Sequence, residues 1–180
     1  AFYSPEDEDL KDRYAFYTAQ SYRDADMPEK AIEWYAKRAN LGGWYEEVYY
    51  SLLQIALLKI ELNASLNEIQ NLLLATYEYR PQRAESLYHL ARQLRYHNKA
   101  RLAYIYATVA ANIPLSKDIL FVDHSVYEWK AKEELAMSAN SVGNYQLCHD
   151  LCIELLFNPA VPEPNRKLLL DNLKLAKEHL

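Results

Sequence analysis

The stretch YEYRPQRAESLYHLARQL, Tyr77 to Leu94, decides between two readings of this 180-residue chain. Its three tyrosines, one histidine and three arginines suggest a ligand-binding surface. Its apolar residues argue otherwise: Leu87, Leu90, Ala91 and Leu94 recur at helical spacing and put a small residue amid large ones. That pattern is the seam of a helical hairpin, where small side chains let two backbones approach. Pro81 breaks the chain just before it, so Tyr79, Arg80 and Pro81 are read as a turn. The off-seam residues Tyr88, His89, Arg92, Arg95 and Tyr96 then remain for another role.

Composition supports an all-helical chain. Apolar residues make up 51%, enough for a sizeable core, while only three glycines are present. Glycine poverty disfavours turn-rich β and phosphate-loop folds. The net charge of -5 argues against a general nucleic-acid binder. The most apolar window, Leu52 to Leu62, is interrupted by Gln54, Lys59 and Glu61, so no membrane span is expected, and no basic start followed by an apolar core marks a signal peptide. Two cysteines do not make a disulfide framework, which fits a reducing compartment and a cytoplasmic location. An opening at Ala1 rather than Met fits a processed protein or an excised piece.

Nine helices follow from periodicity and breakers. They run from near Pro5 to Ala25, Pro28 to the Gly42-Gly43 stop, Glu46 to Leu62 and a Ser65- or Asn67-capped start to Tyr79. They continue over Gln82 to Tyr96, Lys99 to Asn112, Ser125 to Val142, Tyr145 to Phe157, and from about Asn165. The acidic PEDED opening suits a helix N-terminus.

The helices pair as repeats. YAFYTAQSYRDADMPEKAIEWYAKR sets Ala19 and Tyr22 against Ala31 and Tyr35. LYHLARQLRYHNKARLAYIYATVA sets Ala91 against Ala103 and Ala107, and ELAMSANSVGNYQLCHDLCIELL sets Ala136 and Ala139 against Cys148 and Cys152. In the second unit Leu52, Ile55 and Ala56 fit, but Glu68 stands where a small residue is expected. Ala19, Ala56, Ala91 and Ala136 are 37, 35 and 45 residues apart, against about 34 in a tetratricopeptide repeat. The surplus falls in PLSKDILFVDHSV, where Ile119 to Val122 either fold back over the groove or meet a partner. The expected fold is an all-α, right-handed α-solenoid of about four tetratricopeptide-like hairpins plus a C-terminal capping helix, one domain over residues 1–180.

The phrases RYAFYTAQSYRD, KAIEWYAKRANLGGW, EEVYYSLLQIA, ATYEYRPQRAESLYHLAR and LFVDHSVYEWKAKEELAMSA occur in that order. Together they resemble the tetratricopeptide-like helical region that bacterial family 2 glycosyltransferases carry after their catalytic domain. The resemblance covers about residues 13 to 175, is weakest in the second unit, and implies an accessory domain. Asp7-Glu8-Asp9 and Asp24-Ala25-Asp26 lie in helical rather than strand context, so no catalytic residue of that family has a counterpart here.

Other chemistry reads as structure. Cys148 and Cys152 share a helix face at positions that need small residues, without a second ligand pair, so packing outweighs metal binding. Asp123-His124-Ser125 offers triad residue types but no convergence, and Asp123 or Ser125 is read as a helix cap. No cofactor, metal or catalytic residue is assigned. Most aromatics are assigned to packing, with Trp34, Trp44 and Trp129 filling space between hairpins. The candidate groove is formed by off-seam residues of each first helix: Arg13, Phe16, Gln20 and Arg23; Tyr50, Gln54 and Leu57; Tyr88, His89, Arg92, Arg95 and Tyr96; Glu133 and Met137. Arg92 and Arg95 suit an acidic peptide or an anionic glycan, unless acids such as Glu85 neutralise them. Three functions are open: an interaction scaffold for a protein, peptide or acceptor; a domain completing a transferase site in cis; and self-association through the helix from Asn165.

Overall fold

The computed structural model describes the backbone from residue 5 and side chains from residue 11. The acidic side chains of Glu6 to Asp9, the Asp7-Glu8-Asp9 run among them, lie outside the described residues. The described residues are helical, without a strand, and form two compact units.

The first unit comprises the residues up to Arg80 together with Asp118–Phe121. It contains α1 (Pro5–Asp24), α2 (Pro28–Leu41), α3 (Tyr45–Glu61) and α4 (Leu66–Tyr79), each packed on the next. Pro28 starts α2, where a missing N–H costs nothing. Ser65 starts α4, its hydroxyl accepting from the Glu68 amide at 3.3 Å. Gly43 ends the α2 turn at φ +73°, a left-handed conformation that favours glycine, and a Cβ there would stand 2.9 Å from Asp12 Oδ2 and push that carboxylate aside.

The second unit comprises Pro81–Lys117 and Val122–Leu180. It holds α5 (Glu85–Tyr96), α6 (Ala100–Asn112), a π-helical turn over Val126–Lys130 leading into α7 (Ala131–Ser141), α8 (Tyr145–Leu156) and α9 (Glu163–Lys177). Beyond consecutive pairs, α5 meets α7 and α7 meets α9, so alternate helices stack. Each unit therefore contains two hairpins, and the second carries one further helix.

The seam alanines sit where the repeat spacing predicts. Ala19, Ala56 and Ala91 are fully buried and Ala136 nearly so, as are Ala31, Tyr35, Ala103, Ala107, Cys148 and Cys152 opposite them. Ala91, Ala107 and Leu135 form one cluster, and Ala136, Ala139, both cysteines and Leu169 form another.

Several expectations change. Glu68 is not a failed seam residue: it points outward to Lys59 at 2.7 Å, and Ile69, Leu73 and Thr76 carry the seam one position later. The fifth helix begins at Glu85 rather than Gln82, because Arg83 and Ala84 are held in the preceding turn. Trp44 fills no gap and stays 42% exposed, whereas Trp129 is buried. Asp123 is the cap, accepting from the Ser125 amide at 3.1 Å.

Enlarging a seam position tests this arrangement. Ala91→Leu should destabilise the chain by about 1–3 kcal/mol through overpacking. The same change at exposed Ala75 should leave the thermal midpoint nearly unchanged in circular dichroism.

Candidate functional site

Arg95, a candidate groove residue, is committed to a structural ion pair, and so are Arg83 and the turn residue Arg80. Arg83 is completely buried, and its guanidinium grips Glu85 at 2.8–3.0 Å. Glu85 also accepts from the Tyr127 hydroxyl at 2.9 Å and the Asp123 amide at 3.2 Å, while the Ala84 amide donates to Tyr127. This node pins the start of α5 to the π-helical turn. The acid expected to neutralise the groove is thus committed elsewhere. Arg80 pairs with Asp118 and lies 4.1 Å over the Tyr45 ring. Arg95 forms a two-pronged pair with Glu134 of α7 at 2.7 and 2.9 Å.

What remains on α5 is a smaller surface. Tyr88, Arg92 and Tyr96 follow one another at i, i+4 and i+8. Arg92 donates to the Tyr96 hydroxyl at 3.1 Å and carries no described carboxylate partner. Both Arg92 and Arg95 also face the Tyr96 ring, at 5.5 and 4.8 Å. The Arg92 hydrogen bond, ahead of the two guanidinium charges, holds the Tyr96 hydroxyl below its usual range. Burial raises Tyr88 and Glu133, and Glu133 accepts from Asn165 at 2.8 Å. A guanidinium has five donors, so Arg92 can serve two tyrosine oxygens and still present N–H groups to an anion.

His89 lies beside Tyr88, ring centroids 4.9 Å apart. Burial pushes its pKa down to about 4, and the nearby Arg92 charge acts in the same direction. It is a neutral ring at pH 7, acting as a hydrogen-bonding or packing group rather than a cation.

In the first unit the candidate residues lie differently from expectation. Phe16 is core, 2% exposed, against Tyr35 and Tyr50. Tyr50 is 8% exposed beneath Phe121, and Arg23 donates to its hydroxyl at 2.8 Å. Gln20, Gln54 and Leu57 are half-buried, and Arg13 is exposed beside a cleft of about 220 Å³ that Trp44 also lines. In the second unit Met137 is half-buried on α7. A larger depression of about 650 Å³ opens between α1 and α2. Tyr14, Trp34, Lys37 and Leu41 line it, and nothing in helical spacing marks it out, since these residues read as ordinary amphipathic surface.

The thiols of Cys148 and Cys152 meet at 4.0 Å inside the seam, and burial pushes the Cys152 thiol up to about 12. No cluster of three or more metal-ligating side chains occurs among the described residues. No described helix is long and apolar enough to cross a membrane.

No family model matches this chain, and no curated protein does. Solved structures do. The chain is similar to a protein from Podosopora anserina described as a kinesin light chain with nearly identical TPR-like repeats. Identity is 16%, over 93% of this chain and 85% of that one, with a TM-score of 0.61. A single-substitution variant of that protein gives 15% identity, 98% and 89% coverage, and a TM-score of 0.65. At such identities the likeness shows the fold: tetratricopeptide-like helical repeats of the α-solenoid class.

His89 gives a pH test. Its folded pKa lies below the usual 6.5, so between about pH 6.5 and 4 the unfolded chain binds more protons, and stability falls as pH drops through that window. His89→Gln should flatten this part of the urea-denaturation profile; an unchanged slope would remove His89 as its source.

Proposed function

We propose that this chain is a non-catalytic interaction scaffold, a cytoplasmic accessory domain of a bacterial glycosyltransferase system that binds a protein partner or acceptor along its first-helix surfaces. The observation that carries the binding role is Arg92: an exposed cation set between two tyrosines on α5, while its neighbour Arg95 is charge-paired with Glu134. An accessible guanidinium flanked by phenol groups suits a carboxylate or other anion on a partner. The tetratricopeptide-like fold supports the scaffold reading, since stacked hairpins leave alternate helix faces free for contact. Support for the glycosyltransferase setting comes from the five ordered phrases along the sequence.

Arg92 is the informative position, because removing Arg95 would also strip Glu134 of its partner. An acidic peptide that binds the wild-type chain in calorimetry should bind Arg92→Ala about 10- to 100-fold more weakly, with helicity unchanged. Equal affinity would take Arg92 out of the recognition surface. The glycosyltransferase setting has its own test: the coding sequence flanking residues 1–180, or a neighbouring gene, should encode a strand-rich nucleotide-sugar domain. Absence of such a domain from both would leave the scaffold without that context.

A further inference from the structure

Within the first unit, the four residues Asp118–Phe121 lie in a slot of α1, α3 and α4 side chains as a bound peptide would. One Glu46 carboxylate oxygen accepts from the amides of both Ile119, at 2.8 Å, and Leu120, at 2.7 Å. Arg80 forks onto the Asp118 carboxylate from the end of α4. Leu120 packs against the cluster of Phe16, Tyr35 and Tyr50. Phe121 lies on the Tyr50 ring at 4.7 Å and faces Phe16 at 6.4 Å. The slot therefore reads an acidic side chain, two backbone amides, a leucine and an aromatic ring in succession.

Three features separate this from ordinary loop packing. Phe121 has φ +45°, a left-handed conformation that a bulky residue adopts at a cost. The docked segment is buried only in part: Ile119 is 82% and Phe121 52% exposed, while the Asp118 side chain is nearly inaccessible. The slot is also braced without the segment: Arg38 holds the adjacent Glu47 at 2.7 Å, and Arg23 holds Tyr50 at 2.8 Å. Undocking would release the Phe121 strain and leave Tyr50 held by Arg23, while the buried Glu46 carboxylate would pass from the segment's amides to those of an incoming peptide.

We infer that this slot is a peptide-recognition site whose cis occupant is Asp118–Phe121, and that a protein partner carrying an acidic residue, any residue, Leu and Phe in sequence displaces it. The chemistry of the occupant is that of the segment itself: the Arg80 guanidinium requires the acid, and the Phe16–Tyr50 aromatic face requires the ring. This site goes beyond the α5 surface around Arg92, so either can fail without the other.

The test uses the full chain and a fluorescent peptide of sequence SKDILFV, residues 116–122. Asp118→Ser with Phe121→Ser opens the slot and should bind the peptide in anisotropy titrations. If the segment is docked in about 90–99% of molecules, the wild-type chain should bind about 10- to 100-fold more weakly than the opened variant. Glu46→Gln in the opened background should weaken binding about tenfold or more. A folded opened variant that ignores the peptide overturns the inference. Should that variant not fold, hydrogen exchange of the wild-type chain decides. The Ile119 and Leu120 amides should exchange faster under saturating peptide, and unchanged rates overturn it equally. Concentration-dependent dimerisation of the wild-type chain, abolished by free peptide, would make a second copy the occupant and overturn the assignment to a foreign partner.

Discussion

Close helix approach through small side chains is the constraint on which the structure rests. Two helices can cross tightly only where neither presents a large residue at the point of nearest backbone contact. Ala19 against Ala31, and Ala91 against Ala107, meet that condition with essentially no exposure. Cys148 and Cys152 meet it in the last hairpin, where burial raises the pKa of both thiols. Large neighbours such as Tyr35 and Leu94 are buried beside these contacts, so the seams are densely packed.

A second layer of organisation is ionic. Arg38–Glu47 joins consecutive helices, Arg83–Glu85 ties a turn to the start of α5, and Arg95–Glu134 joins the alternate helices α5 and α7; most of these side chains are nearly inaccessible. Burying such charges is costly unless their hydrogen-bonding capacity is met. Here it is met several times over: Arg38 also donates to the Gly42 carbonyl, and Glu85 also receives Tyr127 and the Asp123 amide. These pairs specify where turns and loops sit, which apolar packing alone leaves loosely determined. One of them also takes up Arg95, which helical phase alone assigns to the binding groove. Arg92 on α5 is left available because α7 supplies a forked carboxylate to Arg95 and gives Arg92 none among the described residues.

Helix number, pairing and the seam alanines were legible in the chain because helical periodicity and proline or glycine breakers are local signals. The register of α4 was less so. Glu68 occupies a position one residue away from the buried Ile69, and a one-residue offset on a helix rotates the face by about 100°. Candidate surface residues were legible only as off-seam positions. Helical phase places Phe16 and Tyr50 off the first-helix seam, but it cannot reveal that a loop more than seventy residues away in sequence covers Tyr50.

The sequence by itself determined the all-helical hairpin repeats, since small residues recurring among larger apolar ones at helical spacing favour close helix pairing, and it located the irregular insertion before α7. Only the tertiary structure decided which charged groups are free and which are spent. That question turns on distances between side chains far apart in the chain, such as Arg80 with Asp118 and Arg95 with Glu134, and no local pattern encodes them.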